Sequence, residues 1–181
     1  MAIVKHIKSR NANYSDALNY LIFQHDESTG KMILDEFNRP LRRDELYVDG
    51  LNCNPDTFDV ECYECNEHFK KNRSRSEIKS HHYIISYDPT DAIECALTGE
   101  KAQALSLELA KKIFPGYQAL IVTHTDGHNG SGNIHTHIVI NSVRREAVRR
   151  QPYMDKPHEE IAGYKHRSTN KFLNYFKKEI M

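Results

Sequence analysis

The sequence predicts an α+β domain, and three observations carry that expectation. Residues 118–125 and 134–143 are rich in β-branched side chains and flank a short Gly- and Asn-rich stretch, the pattern of an antiparallel hairpin. Residues 82–87 (His-Tyr-Ile-Ile-Ser-Tyr) form a third strand-like run, ended by Asp88-Pro89. Between these runs, residues 99–113 have helical periodicity, begin after the capping residue Thr98 and stop at Pro115-Gly116.

The remaining elements follow in chain order. Residues 2–8 alternate apolar and polar side chains and predict a short strand. Ser15-Asp16 precedes Leu18, Leu21 and Ile22, which predicts an N-capped helix starting near Ser15 and carrying Tyr20. Residues 25–54 are rich in Asp, Asn, Gly and Pro and read as a long loop, with weak strand pieces at 31–34 and 45–48. Residues 58–69 have helical spacing, 153–161 are irregular, and 168–181 read as a helix reaching the end of the chain. The chain is therefore expected to stop at or inside a domain boundary, as the N-terminal part of a longer protein.

Composition narrows the class. A chain of 181 residues with 39% hydrophobic and 28% charged residues suits one globular domain rather than a disordered one. No apolar run reaches membrane length and the N-terminus lacks a signal-peptide core, so a cytoplasmic protein is expected. In that compartment Cys53, Cys62, Cys65 and Cys95 read as thiols. Cys62 and Cys65, with Cys53 and His68 nearby, also offer a weak zinc pattern. Twenty-five basic residues balance 25 acidic ones, but the charges are segregated. Acids dominate residues 26–64, whereas Arg144, Arg145, Arg149, Arg150, Lys165 and Arg167 form a basic C-terminal group suited to phosphates, or to a solvated surface.

The strongest chemical signal is the run from His124 to Asn141. His135 and His137 sit two apart on a strand, so their imidazoles share a face. His124 closes the partner strand, and a hairpin brings it beside the pair. Three neutral imidazoles on rigid strands form a ligand set with open positions for water or substrate. His128, in the connecting loop, is the rival third ligand. Asp126 is suited to hydrogen-bond an imidazole and fix its tautomer, or simply to form a turn before Gly127.

The pattern His124-x-Asp126, a loop, then His135-x-His137 and Asn141 resembles motif III of relaxase/mobilisation nucleases. These belong to the HUH endonuclease superfamily, and the closer likeness is to its MOB-P branch on plasmids and integrative conjugative elements. Ala17-Leu18-Asn19-Tyr20-Leu21 resembles the helix motif that carries the nucleophilic tyrosine, with Tyr14 as the rival, and residues 83–89 with Ser86 resemble motif II. The resemblance touches residues 1–25, 80–90 and 119–145, and it makes 26–79 a candidate family-specific insertion. It implies a central antiparallel β-sheet of about five strands flanked by helices, spanning residues 1–181 as one nickase domain. It further implies a DNA relaxase that nicks one strand at an origin of transfer through a 5′-phosphotyrosyl intermediate and later rejoins it.

A divalent metal is implied, manganese or magnesium first, with zinc or nickel as alternatives. The implied partners are single-stranded DNA with a hairpin at the origin, and accessory transfer proteins. Asp126 acting through His124, or His82, would assist the phenol, while Ser86 and Asn141 would support the site. Rolling-circle initiators and single-strand transposases share this logic but usually place the tyrosine after the histidines. A zinc hydrolase of small molecules would need no tyrosine, and a non-catalytic DNA-binding regulator would need neither tyrosine nor metal.

Overall fold

The computed structural model describes residues 2–26, 28–126 and 133–180. Its elements follow as β1 (Ile3–Ser9), α1 (Tyr14–Ile22), β2 (Leu46–Leu51), α2 (Phe58–His68), β3 (Ser80–Ser86), α3 (Pro89–Glu94), α4 (Gly99–Ile113), β4 (Tyr117–His124), β5 (His135–Arg144) and α5 (Asn170–Ile180). The five strands form one antiparallel sheet in the order β1-β3-β5-β4-β2. This is the expected α+β architecture, a central antiparallel sheet flanked by helices.

Strand alternation divides the core in two. Ala119, Ile121, Ile138, Ile140, Tyr83 and Ile85 face α4 and α5, where they pack with Ile113, Phe114, Phe172 and Phe176. Leu120, Val122 and Val139 face the other way, onto Tyr14 and Leu21 of α1 and Phe58 and Cys62 of α2. Both central strands are buried along their whole length, which explains why they read as nearly continuous apolar runs. Each large side chain buried this way contributes about 1.5–3 kcal/mol, so helices on both faces hold the central strands rigid.

Local chemistry sets the helix ends. The Thr98 hydroxyl accepts from the Lys101 amide and caps α4, as expected. The cap of α1 is Asn13 rather than Ser15, and the Ser15 hydroxyl donates instead to Asp59 of α2 at 2.5 Å. Gly116, after α4, has φ +75°, and a Cβ there would lie 2.4 Å from the Glu146 carbonyl oxygen. α3 was not expected, because Asp88-Pro89 reads as a strand terminator; the proline instead occupies the first helical position.

Residues 26–79, the candidate insertion, contribute both to the sheet and to its helical cover. They supply β2, the edge strand paired to β4, and α2, which packs on α1. What stands apart is an arm between α1 and β2. Its backbone is knitted by bonds from Gln24 N to Leu41 O, Ile33 N to Gln24 O and Leu41 N to Ile33 O. The Arg43 amide ties the arm's end to Ile22 O, the last residue of α1.

Candidate metal centre

His124 ends β4 and His135 begins β5, directly opposite in register. His137 lies two residues further, so all three project from the α1 face of the sheet. All three are buried, at 2%, 7% and 3% exposure. One ligand nitrogen from each lies within 4.8 Å of the other two.

Each outward nitrogen is fixed by a partner on the opposite side of its ring. His124 Nε2 donates to Leu21 O of α1 at 2.7 Å, turning Nδ1 inward to within 3.3 Å of His135 Nε2. His135 Nδ1 lies 3.1 Å from Asn133 O. His137 Nδ1 lies 2.7 Å from Nε2 of His82 on the neighbouring strand β3. His137 Nε2 is buried with no hydrogen-bond partner. A buried polar atom without a partner costs free energy, and a cation at the shared point would satisfy it. Nitrogen–metal bonds of about 2.1 Å place ligand nitrogens about 3 Å apart, close to the observed His124–His135 spacing. These residues fit a divalent cation.

Burial pushes the His124 imidazole down to about 4, with the Arg43 charge adding to the effect. His137 is pushed well below the usual range, by burial first and then by His82 and the other two imidazoles. Burial also lowers His82 to about 4. His124 and His137 are therefore neutral at neutral pH, the form that binds metal, and so is their neighbour His82.

A cavity of about 860 Å³ opens over these rings, lined also by Tyr20, His25, Arg43 and Asp126. Tyr20 is 44% exposed, its ring 5.4 Å from that of His25. Tyr14, the rival, is buried; its hydroxyl donates to Lys79 O at 2.9 Å and accepts from Asn66 Nδ2 at 2.9 Å. Burial raises its pKa strongly, and nothing opens its hydroxyl to a substrate.

Several expected roles are corrected. Asp126 holds Arg43, Nη1 to Oδ2 at 2.6 Å, and the orienting partners of the imidazoles are Leu21 O, Asn133 O and His82. Asn141 shares the site's face but lies buried under α1 and α2, with Nδ2 3.4 Å from Cys62 O and 3.3 Å from Gln118 Oε1. That position suits neither DNA nor a ligand histidine. Ser86 pairs opposite His135 in register and so flanks the site. His128 lies outside the described residues.

Arg144 is the clearest correction. It is 2% exposed, its Nε donates to Glu159 O at 3.1 Å, and its guanidinium stacks 4.2 Å from the Tyr117 ring centre. Seven residues of strand separate it from His137, about 23 Å at the usual rise. The rest of the basic group lies at or beyond that far end of β5. Arg145 pairs with Glu61, Arg150 with Glu160, Lys165 with Glu77, and Arg167 with Asp155 and Glu159. Of the six, Arg144 and Arg149 have no ion pair among the described residues, and of these two only Arg149 is exposed. Residue type and clustering signalled charge there, but not where its partners were. Cys62 is buried in the core between α2 and the sheet, and Cys53 Sγ lies 3.4 Å from Ala119 O. Among the described residues, the three histidines are the one group of ligand atoms this close together.

Sequence reasoning missed Arg43, whose Arg-Arg-Asp surroundings look like ordinary solvated loop. It also missed the carbonyls of Leu21 and Asn133, since backbone acceptors carry no residue signature.

Comparison with known proteins places this geometry in a family. The model of the family described as "Relaxase: MobA/VirD2-like, nuclease domain" matches residues 33–162, which include the three histidines and leave out Tyr20. A Staphylococcus aureus protein named "Protein rlx" is 33% identical over 134 residues, covering 72% of this chain and 33% of that protein. Another of the same name and organism is 35% identical over 101 residues, covering 54% of this chain and 27% of that one. The chain thus spans about a quarter to a third of the length of these relatives. A solved structure described as "Molecular Basis of Vancomycin Resistance Transfer in Staphylococcus aureus" aligns over 98% of this chain and 87% of its own, with 18% identity and a TM-score of 0.48. With a family model matching well over half its length, the chain belongs to the MobA/VirD2-like relaxases and carries their nuclease domain.

Proposed function

We propose that this domain nicks one DNA strand at an origin of transfer by attack of Tyr20 on a phosphodiester, and later rejoins it. The observation that carries the reading is the convergence of His124, His135 and His137 on one point beneath a cavity that Tyr20 also lines.

In the forward step the Tyr20 oxygen bonds to phosphorus and the bond from phosphorus to the 3′ oxygen breaks. The phenol loses a proton, the departing oxygen gains one, and the products are a 5′-phosphotyrosyl linkage and a free 3′-hydroxyl. The linkage conserves the bond energy, so a 3′-hydroxyl can reverse the step. A divalent cation held by the three imidazoles supplies Lewis-acid relief of charge on a non-bridging phosphate oxygen. We assign manganese or magnesium first, by the resemblance, with zinc or nickel as alternatives that three imidazoles hold more tightly.

A phenol with a pKa near 10 needs a proton acceptor at neutral pH. His25 is the side chain packed against the Tyr20 ring, and its Nδ1 is committed to Phe23 O at 2.9 Å. Its Nε2 is then the basic nitrogen, and we assign it that proton. His82 is committed to His137, and Asp126 to Arg43.

The strand would enter over the exposed strip Ile3, Lys5 and Ile7 of β1, on the same face of the sheet as His82 and Ser86. Apolar and basic side chains in one strip suit stacked bases beside phosphates. A hairpin beside the nick and accessory transfer proteins belong to the same proposal. The test is mass spectrometry of tyrosine peptides after incubation with origin DNA and manganese. A nucleotide adduct on the Tyr20 peptide is expected, lost in Tyr20→Phe; an adduct on another tyrosine would overturn the assignment.

A further inference from the structure

Arg43 sits where a cation is hardest to explain by the metal alone. It ends the arm, lines the same cavity as Tyr20 and the three histidines, and has a side-chain exposure of 17%. Among the described residues lining that cavity it is the one Lys or Arg. Asp126 grips Nη1 from the end of β4, while Nε is buried with no hydrogen-bond partner. Two buried side-chain atoms among the described residues are orphaned in this way, Arg43 Nε and His137 Nε2, and both residues line this cavity.

A guanidinium lining the same cavity as three ligand imidazoles repels a second cation. Placing it there is costly unless an anion lies between the two positive charges. A phosphodiester has two non-bridging oxygens, so one can face the metal position and the other the arginine. Resting on the nicking reading above, we propose that Arg43 binds the scissile phosphate through its unpartnered Nε–H side and neutralises the charge that grows there during attack. Asp126 is its positioning residue, holding the guanidinium fork at a fixed angle. Arginine suits the task because its planar donor fork matches phosphate oxygens. The arm then serves to carry this one charge to a site built otherwise from strands.

The test uses the full chain and single-stranded oligonucleotides tiled across the DNA around its own gene, taking forward one that the wild type nicks. Arg43→Ala is expected to slow first-turnover cleavage at saturating DNA by about 100-fold, and Arg43→Lys by about 10-fold. Both variants should bind manganese at least as tightly as wild type in calorimetry, which a collapsed site would not. In a Tyr20→Phe background, a neutral methylphosphonate at the nick should weaken binding about 10-fold more when Arg43 is present than with Arg43→Ala, where only the contact to the metal position remains to be lost. Wild-type cleavage by Arg43→Ala, or an equal methylphosphonate penalty with and without Arg43, overturns this assignment and leaves the nicking reading standing. Loss of manganese binding in both variants overturns it too, by making Arg43 part of the scaffold. A wild type that nicks none of the oligonucleotides overturns the nicking reading itself.

Discussion

Nε2 of His82 lies 2.7 Å from Nδ1 of His137, across the β3–β5 pairing and on the far side of the imidazole from the other two histidines. The contact fixes the His137 ring and directs its remaining nitrogen, otherwise orphaned, into the site. A partner of this kind typically accounts for 10- to 100-fold in metal affinity. His82→Ala is therefore expected to weaken manganese binding by about 10- to 100-fold while the chain stays folded. Calorimetry reads the affinity, and cleavage should recover as manganese is raised. Unchanged affinity would remove His82 from the site.

Manganese should stabilise the chain through the three histidines. At a concentration about 100-fold above Kd the gain is about 2.7 kcal/mol, or roughly 5–10 °C in Tm for a chain of this size. His135→Ala and His137→Ala should each abolish most of that rise in a thermal melt. A full metal-induced shift in His137→Ala would mean that the cation binds elsewhere.

The two tyrosines of α1 should separate cleanly. Tyr14→Phe strands the buried Asn66 amide and leaves the Lys79 carbonyl without one of its donors, so it should cost about 1–3 kcal/mol in denaturant unfolding. Its covalent DNA adduct should nevertheless form. Tyr20 is exposed, so Tyr20→Phe should leave stability within about 0.5 kcal/mol and abolish the adduct.

If His25 accepts the phenol proton, His25→Ala should slow cleavage about 100-fold at neutral pH. The deficit should narrow as pH rises and hydroxide takes over the role. Parallel pH–rate profiles for variant and wild type would exclude His25 as the base.

The metal-free chain should lose stability in mild acid. Burial lowers His6, His82 and His124 to about 4 and His81 to about 3, and holds His166 well below its usual range. Unfolded imidazoles take up protons below about 6.5, whereas the folded ones stay neutral. Between pH 6.5 and about 4 the unfolded state binds more protons, so stability falls as pH falls through that window. Above it these groups add no pH dependence. Melts in chelator at pH 7.5 and 5 should show a lower Tm at pH 5, and equal values would contradict the burial of these rings.

Much of the metal site is legible in the chain because it is short-range. Two-residue alternation puts His135 and His137 on one face whatever surrounds the strand, and the hairpin brings His124 opposite them. The run 58–69 appears as α2 within one residue for the same reason. Where the sequence misleads, a long-range partner decides. Arg144 looks like a phosphate ligand until Glu159, Pro115 and Tyr117 enclose it. Residues 45–48 read as a weak strand piece within a loop until β4 supplies the ladder of Leu46–Leu51.

The chain alone thus determined the strand pattern and the triad, because each depends on periodicity over a few residues; Tyr20 came from the family resemblance, with Tyr14 as its rival. The tertiary structure buried Tyr14 and left Tyr20 exposed beside the histidines, turned Asp126 from the imidazoles to Arg43, and named Leu21 O, Asn133 O and His82 as the groups that aim the rings. Those outcomes depend on which surfaces meet across the sheet. Burial and hydrogen-bond pairing between distant segments, rather than residue type, select among side chains that look alike in one dimension.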